Sequence, residues 1–384
     1  MPIAQLEEHG RRLQQELREF KTRTVVPDYG WYPYESLSSL GVVAGLLAPF
    51  REELDGVLRG APAADIGCGD GDWAVLLAQL GAAVDAIDHR ESNFNQMRGV
   101  ETLRRALEPA MGVFDVDLDS RVELPRGDYG LMLFLGTLYH LKNPYHVLER
   151  LAESGDWCVL STRIAQVAPR TRVRIDGEPL AYLLDRREAN NDPTNFWIFS
   201  PAGLRRLLER TGWLVMAETR VGCAVDSDPV DAAADERIFV LLRSRARHPE
   251  LLVRPLEGWH EVESGWRWTA RRFALEVALP TAEPAAEFAL RFTVPEVVLS
   301  AGAPVRLACR SGESLLGSIS CEEAGTIEFR GRFPEGTPPG AVLRLDFEVE
   351  SAYQAPGDAR DLGVIVPLAG AGQRHTERIP FRIS

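Results

Sequence analysis

The stretch "ADIGCGDGDWAVLLAQLG", residues 64–81, places Gly67, Gly69 and Gly71 close together between an apolar run and a helix-like pattern. Glycine takes backbone conformations that other residues avoid, so this spacing predicts a tight turn from a strand into a helix. Around this turn, up to about residue 245, strand-like apolar runs alternate with helix-like segments. The alternation predicts an α/β fold whose sheet is covered by helices on both faces.

Acidic residues in the turn exclude two common phosphate ligands. Asp72 occupies the position of the third glycine in a dinucleotide-binding fingerprint. Asp70 and Asp72 flank the start of the helix, where they would repel a phosphate from the helix N-terminus. A triphosphate-binding loop is excluded because no Gly-Lys-Ser or Gly-Lys-Thr follows. The turn is therefore expected to hold a ligand that has no phosphate.

S-adenosylmethionine fits such an acidic turn, because it carries a cationic sulfonium and an ammonium but no phosphate. The turn residues would contact it through close backbone approach and favourable charge. These predicted cofactor contacts are Asp65, Gly67, Cys68, Gly69 and Gly71.

Two further groups of residues extend this predicted cofactor site. Asp88 ends the next predicted strand, where its carboxylate can accept hydrogen bonds from both ribose hydroxyls, with His89 beside the ribose. Asp117 and Leu118 follow the third strand and suit the adenine amino group and the adenine ring face. Each feature alone is common in turns and strand ends, but the three together in this order predict the cofactor.

Residues 61–222 resemble the class I S-adenosylmethionine-dependent methyltransferases, which implies a doubly wound, Rossmann-like sheet of seven strands. More narrowly, "LFLGTLYHLKNPYHVLERL" (133–151) and "FSPAGLRRLLERTGW" (199–213) resemble segments of the tRNA wobble-uridine carboxymethyltransferases. This resemblance implies that Tyr139 holds the cofactor near its transferred group. The lysine- and tryptophan-rich stretch of those enzymes is replaced here by "GWYPYESLSSL" (30–40), so plain S-adenosylmethionine is expected instead of a carboxylated cofactor.

Three residues after the fourth strand of this predicted domain are candidates for the chemistry. Gly136, Tyr139 and His140 fall at the carboxyl end of the strand, where ligands bind in this fold. We predict that Gly136 contacts the cofactor, that Tyr139 orients its methionine end, and that His140 is the general base for a hydroxyl acceptor. A neutral structural histidine is an equally good interpretation of His140.

Aromatic and polar side chains in three further segments are candidates for binding the acceptor. The aromatic residues near Pro33 would form a lid, or else pack on the domain, and the loop at 188–200 would bind a sugar or polar ring, or else form an ordinary turn. An arginine after the fifth strand would steer an anionic group, or pair with a nearby acid. The predicted residues are Trp31, Tyr32, Tyr34, Arg163, Asn191, Asp192, Asn195 and Trp197.

The chain of 384 residues is longer than one core usually supports. Beyond "RSRARHPELLVRPLEG" (243–258) the helical pattern gives way to short alternating strands, which predict an all-β sandwich. "EGWHEVESGWRWTARRFALEV" (257–277) and "GDARDLGVIV" (357–366) resemble sandwich modules of bacterial surface-polysaccharide enzymes. We predict an N-terminal helical segment and lid at 1–60, a methyltransferase domain at 61–247 and a sandwich domain at 255–384.

The net charge, the cysteine content and the N-terminal sequence restrict the partners, the metal sites and the location expected for this chain. A net charge of −13, with lysine only at Lys21 and Lys142, argues against a nucleic acid partner on electrostatic grounds. The five cysteines are widely spaced and form no CxxC pair, so neither a disulfide framework nor a metal site is expected. The charged N-terminus and the lack of a long apolar run predict a cytoplasmic protein without a membrane span.

These observations predict an S-adenosylmethionine-dependent methyltransferase that O-methylates a sugar or another small polar acceptor, linked to bacterial surface glycans or natural products. One alternative is a tRNA uridine methyltransferase or carboxymethyltransferase. Another is a non-catalytic scaffold that binds S-adenosylmethionine. The sequence leaves the methylated atom, the role of the sandwich and the oligomeric state open.

Overall fold

The computed structural model describes residues 3–26, 28–107, 109–189, 191–223, 225–248, 253–263, 265–279, 285–299, 304–350, 352–354, 357, 360–367 and 379–383. The chain divides into two compact units, residues 1–247 and 248–384. The first unit includes the N-terminal helices, and the division falls between the predicted methyltransferase and sandwich domains. Independent folding of the predicted domains stays a prediction.

The first unit alternates helices and strands along the chain. Its helices are α1 (Leu6–Arg23), α2 (Leu40–Leu47), α3 (Arg51–Gly60), α4 (Asp72–Gln79), α5 (Arg98–Leu107), α6 (Pro144–Ser154) and α7 (Pro201–Arg210). Its strands are β1 (Ala63–Ile66), β2 (Val84–Asp88), β3 (Met111–Asp115), β4 (Tyr129–Leu135), β5 (Gly155–Ile164), β6 (Ala181–Leu183), β7 (Trp197–Phe199), β8 (Trp213–Gly222) and β9 (Glu236–Ser244).

The strands of the first unit form one mixed sheet. Strands β3, β2, β1, β4 and β5 are adjacent and parallel, β9 pairs antiparallel with β5, and β8 pairs antiparallel with β9. The predicted α/β core is confirmed, but the described strands of this sheet number nine and not seven. The two additional strands are β6 and β7, which pair with each other and meet the end of β5 at Ile164↔Phe199.

Helices cover both faces of this sheet, because each presents an apolar side to it. In α1, Leu6, Leu13 and Leu17 are buried, and they lie in one core cluster with α2 to α5. Leu148 of α6 and Leu204 of α7 belong to a second cluster, packed against the other face of the sheet. Burial of apolar side chains on both faces accounts for the long apolar strands β4 and β5.

The second unit is rich in strands. They are β10 (Val253–Pro255), β11 (Trp259–Glu263), β12 (Trp266–Thr269), β13 (Arg272–Ala278), β14 (Glu287–Val294), β15 (Val305–Ser311), β16 (Ser314–Cys321), β17 (Gly325–Arg332), β18 (Val342–Val349), β19 (Ile365–Pro367) and β20 (Phe381–Ile383), with one short helix, α8 (Glu296–Leu299). One antiparallel sheet has the order β10-β13-β18-β15-β16, and the other has the order β11-β12-β19-β14-β17, with β20 on β14. Both sheets contribute side chains to a single core, in which the rings of Phe273 and Phe347 stack.

Candidate active site

The carboxyl ends of three parallel strands meet at one edge of the first sheet. Because β1 lies between β2 and β4, the glycine turn after β1 is flanked by Asp88 and by the segment that starts at Gly136. The backbone N–H of Gly67 donates to the carbonyl of Ile87 at 2.8 Å. Thr137 lies against Gly67 on the other side. The fold therefore brings the predicted cofactor turn and the predicted catalytic segment together.

All three glycines of the turn adopt positive φ angles, +74° at Gly67, +58° at Gly69 and +86° at Gly71. A Cβ atom on Gly67 would lie 3.0 Å from Thr137 Cγ2 and closer still to the Thr137 hydroxyl. A Cβ atom on Gly71 would lie 2.6 Å from Cγ2 of Val100. Packing against the protein itself therefore requires glycine at two positions of the turn, while Gly69 keeps ordinary contact distances to its neighbours.

Asp88 closes this turn from the end of β2. Its carboxylate accepts hydrogen bonds from the backbone N–H of Gly69 at 2.9 Å, from the side-chain amide of Asn93 at 2.9 Å and from the backbone N–H of His89 at 2.8 Å. Burial raises the pKa of the Asp88 carboxyl. The His89 ring lies beside the hydroxyl of Ser92, at 3.2 Å.

Asp65 and Cys68 lie beneath the turn and not on its outer surface. The Asp65 carboxylate is 4% exposed and accepts a hydrogen bond from the backbone N–H of Ala74 in α4. Burial raises the pKa of this carboxyl to about 7. The Cys68 side chain belongs to the apolar core, and burial also raises the pKa of its thiol. In the structure both side chains therefore support the turn, and their predicted contact with the cofactor stays a prediction.

The two acidic residues that flank the start of α4 share one cation that the sequence reasoning missed. Lys21 of α1 donates to Asp70 at 2.9 Å and to Asp72 at 2.7 Å, and all three side chains are largely buried. The Lys21 ammonium also lies over the Trp31 ring. One ammonium against two carboxylates leaves this cluster one negative charge, so the turn is less acidic than the sequence alone suggested.

Two asparagines, also missed by the sequence reasoning, hold the turn and Asp88 in place. The Asn93 amide oxygen accepts from the backbone N–H groups of Asn95 and Met97, which leaves its NH₂ group directed at Asp88. The Asn95 side chain is fully buried and donates to Asp70 at 2.8 Å. Asn and Asp spaced along a loop are the only sequence signal for this support, and they are equally typical of turns.

The predicted lid residues lie between α1 and the turn. The Tyr32 ring lies 3.7 Å from the position of a Cβ atom on Gly69, and its hydroxyl accepts from the backbone N–H of Phe94. Trp31 donates its indole N–H to the carbonyl of Thr24, and Tyr34 is 74% exposed. All three aromatic residues line a cleft of about 440 Å³ beside α1. Of the three, Tyr32 is the residue placed directly over the glycine turn.

Asp117 and Leu118 follow β3, as predicted. The Asp117 carboxylate accepts from the backbone N–H of Asp119, and its hydrogen bond with Ser120 lowers the pKa of the Asp117 carboxyl. Leu118 is buried and packs in the core cluster that contains α6 and α7.

His140 is held by a chain of hydrogen bonds from the 188–200 loop. Its Nδ1 lies 2.9 Å from the Thr194 hydroxyl and 3.2 Å from the Thr194 carbonyl oxygen. The Thr194 hydroxyl donates in turn to the Asp192 carboxylate at 2.6 Å. The carbonyl oxygen can only accept and the hydroxyl proton is directed at Asp192, so Nδ1 carries the proton and Nε2 is the basic nitrogen. Burial lowers the pKa of His140, while Asp192 raises it to a smaller degree.

The rings of Tyr139 and His140 lie side by side, with their centroids 4.4 Å apart. Both side chains therefore occupy the same region at the end of β4, although adjacent residues of a regular helix point about 100° apart. The Tyr139 hydroxyl accepts a hydrogen bond from Arg237 of β9 at 3.4 Å. It also lies 3.5 Å from the position of a Cβ atom on Gly136, a residue with a φ of +69°.

Arg163 is placed differently from the predicted role of a cation that steers an anionic substrate. Its side chain is 5% exposed and forms an ion pair with Asp235. Asp235 also pairs with Arg237, at 3.3 Å. The structure thus brings Arg237, and not Arg163, to the residues at the end of β4.

Of the remaining predicted residues in the 188–200 loop, some make supporting hydrogen bonds and one is exposed on the surface. The Asn195 amide is buried and donates to the carbonyl of Ala189. The Trp197 indole N–H donates to the carbonyl of Lys142 at 3.3 Å. Asn191 is exposed, with a φ of +54°. Asp192 faces Thr194, so it acts within the hydrogen-bond chain to His140.

The residues at this edge fit S-adenosylmethionine. Gly69 allows close approach to the backbone of the turn, Asp88 offers carboxylate oxygens at the end of β2, and the Lys21 cluster leaves one excess negative charge for a cationic ligand. No group of three or more His, Cys, Asp or Glu within the described ranges is arranged to hold a metal ion. All five cysteines are free thiols.

Comparison with known proteins defines the class of this domain. Residues 57–218 match the sequence model of a methyltransferase domain family. With the sheet and turn described above, this region is a class I methyltransferase domain whose cofactor is S-adenosylmethionine. In the part of the chain that the structure describes, none of the helices has the length and apolar character needed to cross a membrane.

Individual relatives are distant. Ubiquinone biosynthesis O-methyltransferase of Bordetella avium (strain 197N) is 27% identical over 137 residues, which is 34% of this chain and 55% of that protein. The chain thus spans about half the length of this relative.

Solved structures with the same kind of domain are also distant. The N-terminal domain of EvdMO1, solved in the presence of SAH and D-fucose, is similar with a TM-score of 0.39 and 17% identity, over 61% of this chain and 97% of that one. Magnesium protoporphyrin IX methyltransferase of Synechocystis PCC 6803, with bound SAH, has a TM-score of 0.32 and 20% identity, over 53% and 87% of the two chains. At these scores the two structures carry no information about the acceptor of this chain.

Proposed function

We propose that this chain transfers a methyl group from S-adenosylmethionine to a hydroxyl of a sugar or another small polar acceptor, with His140 as the general base. The observation that carries this proposal is the hydrogen-bond chain from Asp192 through Thr194 to Nδ1 of His140. It leaves Nε2 as the basic nitrogen. His140 lies three positions along the chain from Thr137, which contacts Gly67 of the glycine turn.

A hydroxyl is a poor nucleophile, so its methylation gains from a base that takes the proton as the oxygen attacks. When bound, S-adenosylmethionine would supply an activated methyl group with a neutral thioether as the leaving group. His140 accepts the hydroxyl proton at Nε2, and the resulting imidazolium is stabilised through Thr194 by the Asp192 carboxylate. Because burial holds the pKa of His140 below its usual range, the ring is neutral and ready to accept a proton at pH 7.

The cofactor would be held by the turn at Gly67–Gly71, by Asp88 and by the Lys21 cluster. Asp88 is already oriented by Gly69 and Asn93, so it would bind a ribose without rearranging. Tyr32, over Gly69, would cover the bound cofactor and exclude water from it.

A small polar acceptor is supported by the surroundings of His140. The adjoining loop carries exposed polar groups, such as Asn191 and Thr194, beside the partly exposed rings of Phe196 and Trp197. Such a mixture of polar groups and aromatic faces suits a sugar or a polar ring. The O-methyltransferase activity named for the Bordetella avium relative agrees with transfer to oxygen.

The test is a labelled-methyl assay with the full chain against cell extract separated into RNA, glycan and small-molecule pools. Label in the glycan or small-molecule pool, lost in His140→Ala, is the expected result. Label confined to RNA would instead support the tRNA uridine methyltransferase or carboxymethyltransferase alternative, which the resemblance around Tyr139 suggests and the net charge of −13 disfavours. Cofactor binding by calorimetry without label in any pool would support the scaffold alternative.

A further inference from the structure

Arg237 lies where an acceptor beside His140 would meet it. Its Nη1 is 3.4 Å from the Tyr139 hydroxyl, and its guanidinium carbon is 5.7 Å from the centre of the Tyr139 ring. The same Nη1 lies 3.7 Å from the position of a Cβ atom on Gly136, at the end of β4. Arg237 is therefore next to the point at which the methyl group is transferred under the proposed function.

The charge of Arg237 is only partly balanced. Asp235 is its carboxylate partner, but the other oxygen of Asp235 pairs with the buried Arg163. Two guanidinium groups against one carboxylate leave one excess positive charge. The Arg237 side chain is 36% exposed, so a ligand can reach part of it, whereas the neighbouring Tyr139 is 8% exposed.

The pairing of strands explains why the excess charge is fixed in place. Arg163 and Arg237 are directly opposite each other in the antiparallel pair β5–β9, so their side chains leave the same face of the sheet. Asp235 bridges them, with Arg163 buried behind and Arg237 in front. Arg163 is therefore a positioning residue, because its ion pair occupies one of the two carboxylate oxygens of Asp235.

We propose that Arg237 and the Tyr139 hydroxyl bind a carboxylate of the acceptor, so that the substrate is a hydroxy acid such as a uronic sugar. This inference rests on the proposed function, because it assigns the acceptor of the same site. A guanidinium has five N–H donors, of which Asp235 and Tyr139 engage only some. The Tyr139 hydroxyl accepts from Arg237, so its own proton is available to donate to the same carboxylate.

Charge balance favours a carboxylate over a phosphate. Within the group of Arg163, Asp235 and Arg237, the one excess positive charge is neutralised by one carboxylate. A phosphate monoester carries between one and two negative charges at pH 7, so its surplus charge would be repelled by the Asp192 carboxylate behind His140. The centroids of the Tyr139 and His140 rings are 4.4 Å apart, so a small molecule whose carboxylate binds at Tyr139 can also extend to Nε2 of His140. A hydroxyl on the same molecule would lie near the base.

The test compares pairs of ligands that differ only in the carboxylate. Binding of D-glucuronate against D-glucose, D-galacturonate against D-galactose, and caffeate against its amide is measured by calorimetry and by saturation-transfer NMR on the full chain with S-adenosylhomocysteine present. We expect the acidic member of at least one pair to bind roughly ten- to a hundredfold more tightly, as a charge-assisted hydrogen bond provides. Arg237→Met should abolish that preference, and Arg237→Lys should keep part of it.

Arg220→Met is the matched control. Arg220 lies on the neighbouring strand β8, pairs with Glu218 at 3.4 Å and is 34% exposed, close to the 36% of Arg237. Arg220→Met should leave the preference for the acidic ligand unchanged. Thermal melts of each variant show whether its fold is intact.

Equal binding of the two members of every pair would overturn this inference, as would a preference that survives in a folded Arg237→Met protein. A carboxylated S-adenosylmethionine is included as a further ligand, and if Arg237→Met weakens it alone, the carboxylate belongs to the cofactor and the inference is wrong. These binding results are independent of methyl transfer. A chain that binds hydroxy acids but labels no pool would overturn the proposed function and leave the carboxylate site standing.

Discussion

The two halves of the candidate active site are built in different ways. The cofactor side is the glycine turn with Asp88 and Asn93, and the acceptor side is Tyr139 and His140 with Thr194 and Arg237. On the cofactor side, Gly69 and Asp88 are 19 positions apart, and Asn93 and Asp88 are 5 apart. On the acceptor side, His140 meets Thr194 over 54 positions, and Tyr139 meets Arg237 over 98.

This difference shows which interactions fix the geometry of each half of the site. The cofactor side is set mainly by backbone conformation and by hydrogen bonds within one short βαβ segment, to which the N-terminal segment adds Lys21 and Tyr32. The acceptor side depends on side chains brought in by a loop and by the antiparallel strand β9. Substitutions should therefore affect folding and cofactor affinity on the first side, and turnover and acceptor choice on the second.

The largest effect is expected from Gly67→Ala on the cofactor side. The new Cβ would meet Thr137, and the φ of +74° disfavours any L side chain. We expect a loss of roughly 3 kcal/mol or more in the free energy of unfolding, and no measurable S-adenosylmethionine binding. Urea unfolding and calorimetry measure the two quantities.

Gly81→Ala is the matched control for Gly67→Ala, because Gly81 has a φ of +91° but no atom within 4 Å of its Cβ position. It should cost only the backbone strain, about 1–2 kcal/mol. Equal costs for the two variants would mean that contact with Thr137 does not restrict the turn.

His140→Ala should separate the two sides most clearly. Loss of a positioned general base lowers turnover by roughly 10²- to 10⁴-fold, while cofactor affinity should stay nearly unchanged. Turnover is measured with the acceptor pool that takes up label, and affinity by calorimetry. The exposed His146 of α6 offers a control, since His146→Ala should change neither quantity. Full activity in His140→Ala would leave His140 as a structural residue.

Asp88→Ala should lower the cofactor affinity, which is the quantity that His140→Ala leaves nearly unchanged. Removal of the carboxylate from the predicted ribose contact should weaken S-adenosylmethionine by about 1.5–3 kcal/mol, measured by calorimetry. Asp115 is opposite Asp88 in the β2–β3 pair and ends the neighbouring strand. Asp115→Ala should therefore keep the affinity. Unchanged affinity in Asp88→Ala would remove this residue from the cofactor site.

The smallest effects concern the hydrogen-bond chain behind His140. Thr194→Val removes one acceptor of the Nδ1–H hydrogen bond and should lower turnover by about two- to tenfold, whereas Thr194→Ser should keep the hydrogen bond and the turnover. A Thr194→Ser protein as slow as Thr194→Val would show that the hydroxyl does not act through His140.

The dependence of rate on pH tests the same chain. The base must be neutral, so kcat/KM should rise with pH through the pKa of His140, which burial places below the usual value of about 6.5. Asp192 raises this pKa, so Asp192→Asn should move the acidic limb to lower pH. Movement to higher pH, or no acidic limb below neutrality in the parent protein, would contradict the role of His140.

The features that the sequence predicted are those set by short spacings. Three glycines with a following helix, Asp88 at the end of the next strand and an alternation of strands and helices all depend on local backbone geometry, and they predicted the α/β core and the cofactor. The count of seven strands, which the resemblance implied, was wrong because the insertion after β5 adds β6 and β7. Three-residue strands give too short a pattern to detect in the sequence.

Only the tertiary structure decided which side chains complete the site. Lys21 and Arg237 carry no signal in their own sequence surroundings, and Thr194 lies in a loop that was predicted to bind the acceptor and not to hold His140. Arg163 pairs with Asp235, the alternative left open for it, and Arg237 is better placed to meet an anionic group. Their positions follow from the packing of α1 on α4 and from the pairing of β9 with β5. Such contacts between distant segments form only when burial of apolar surface offsets the entropy of closing long loops, so they depend on the whole core and on no single motif.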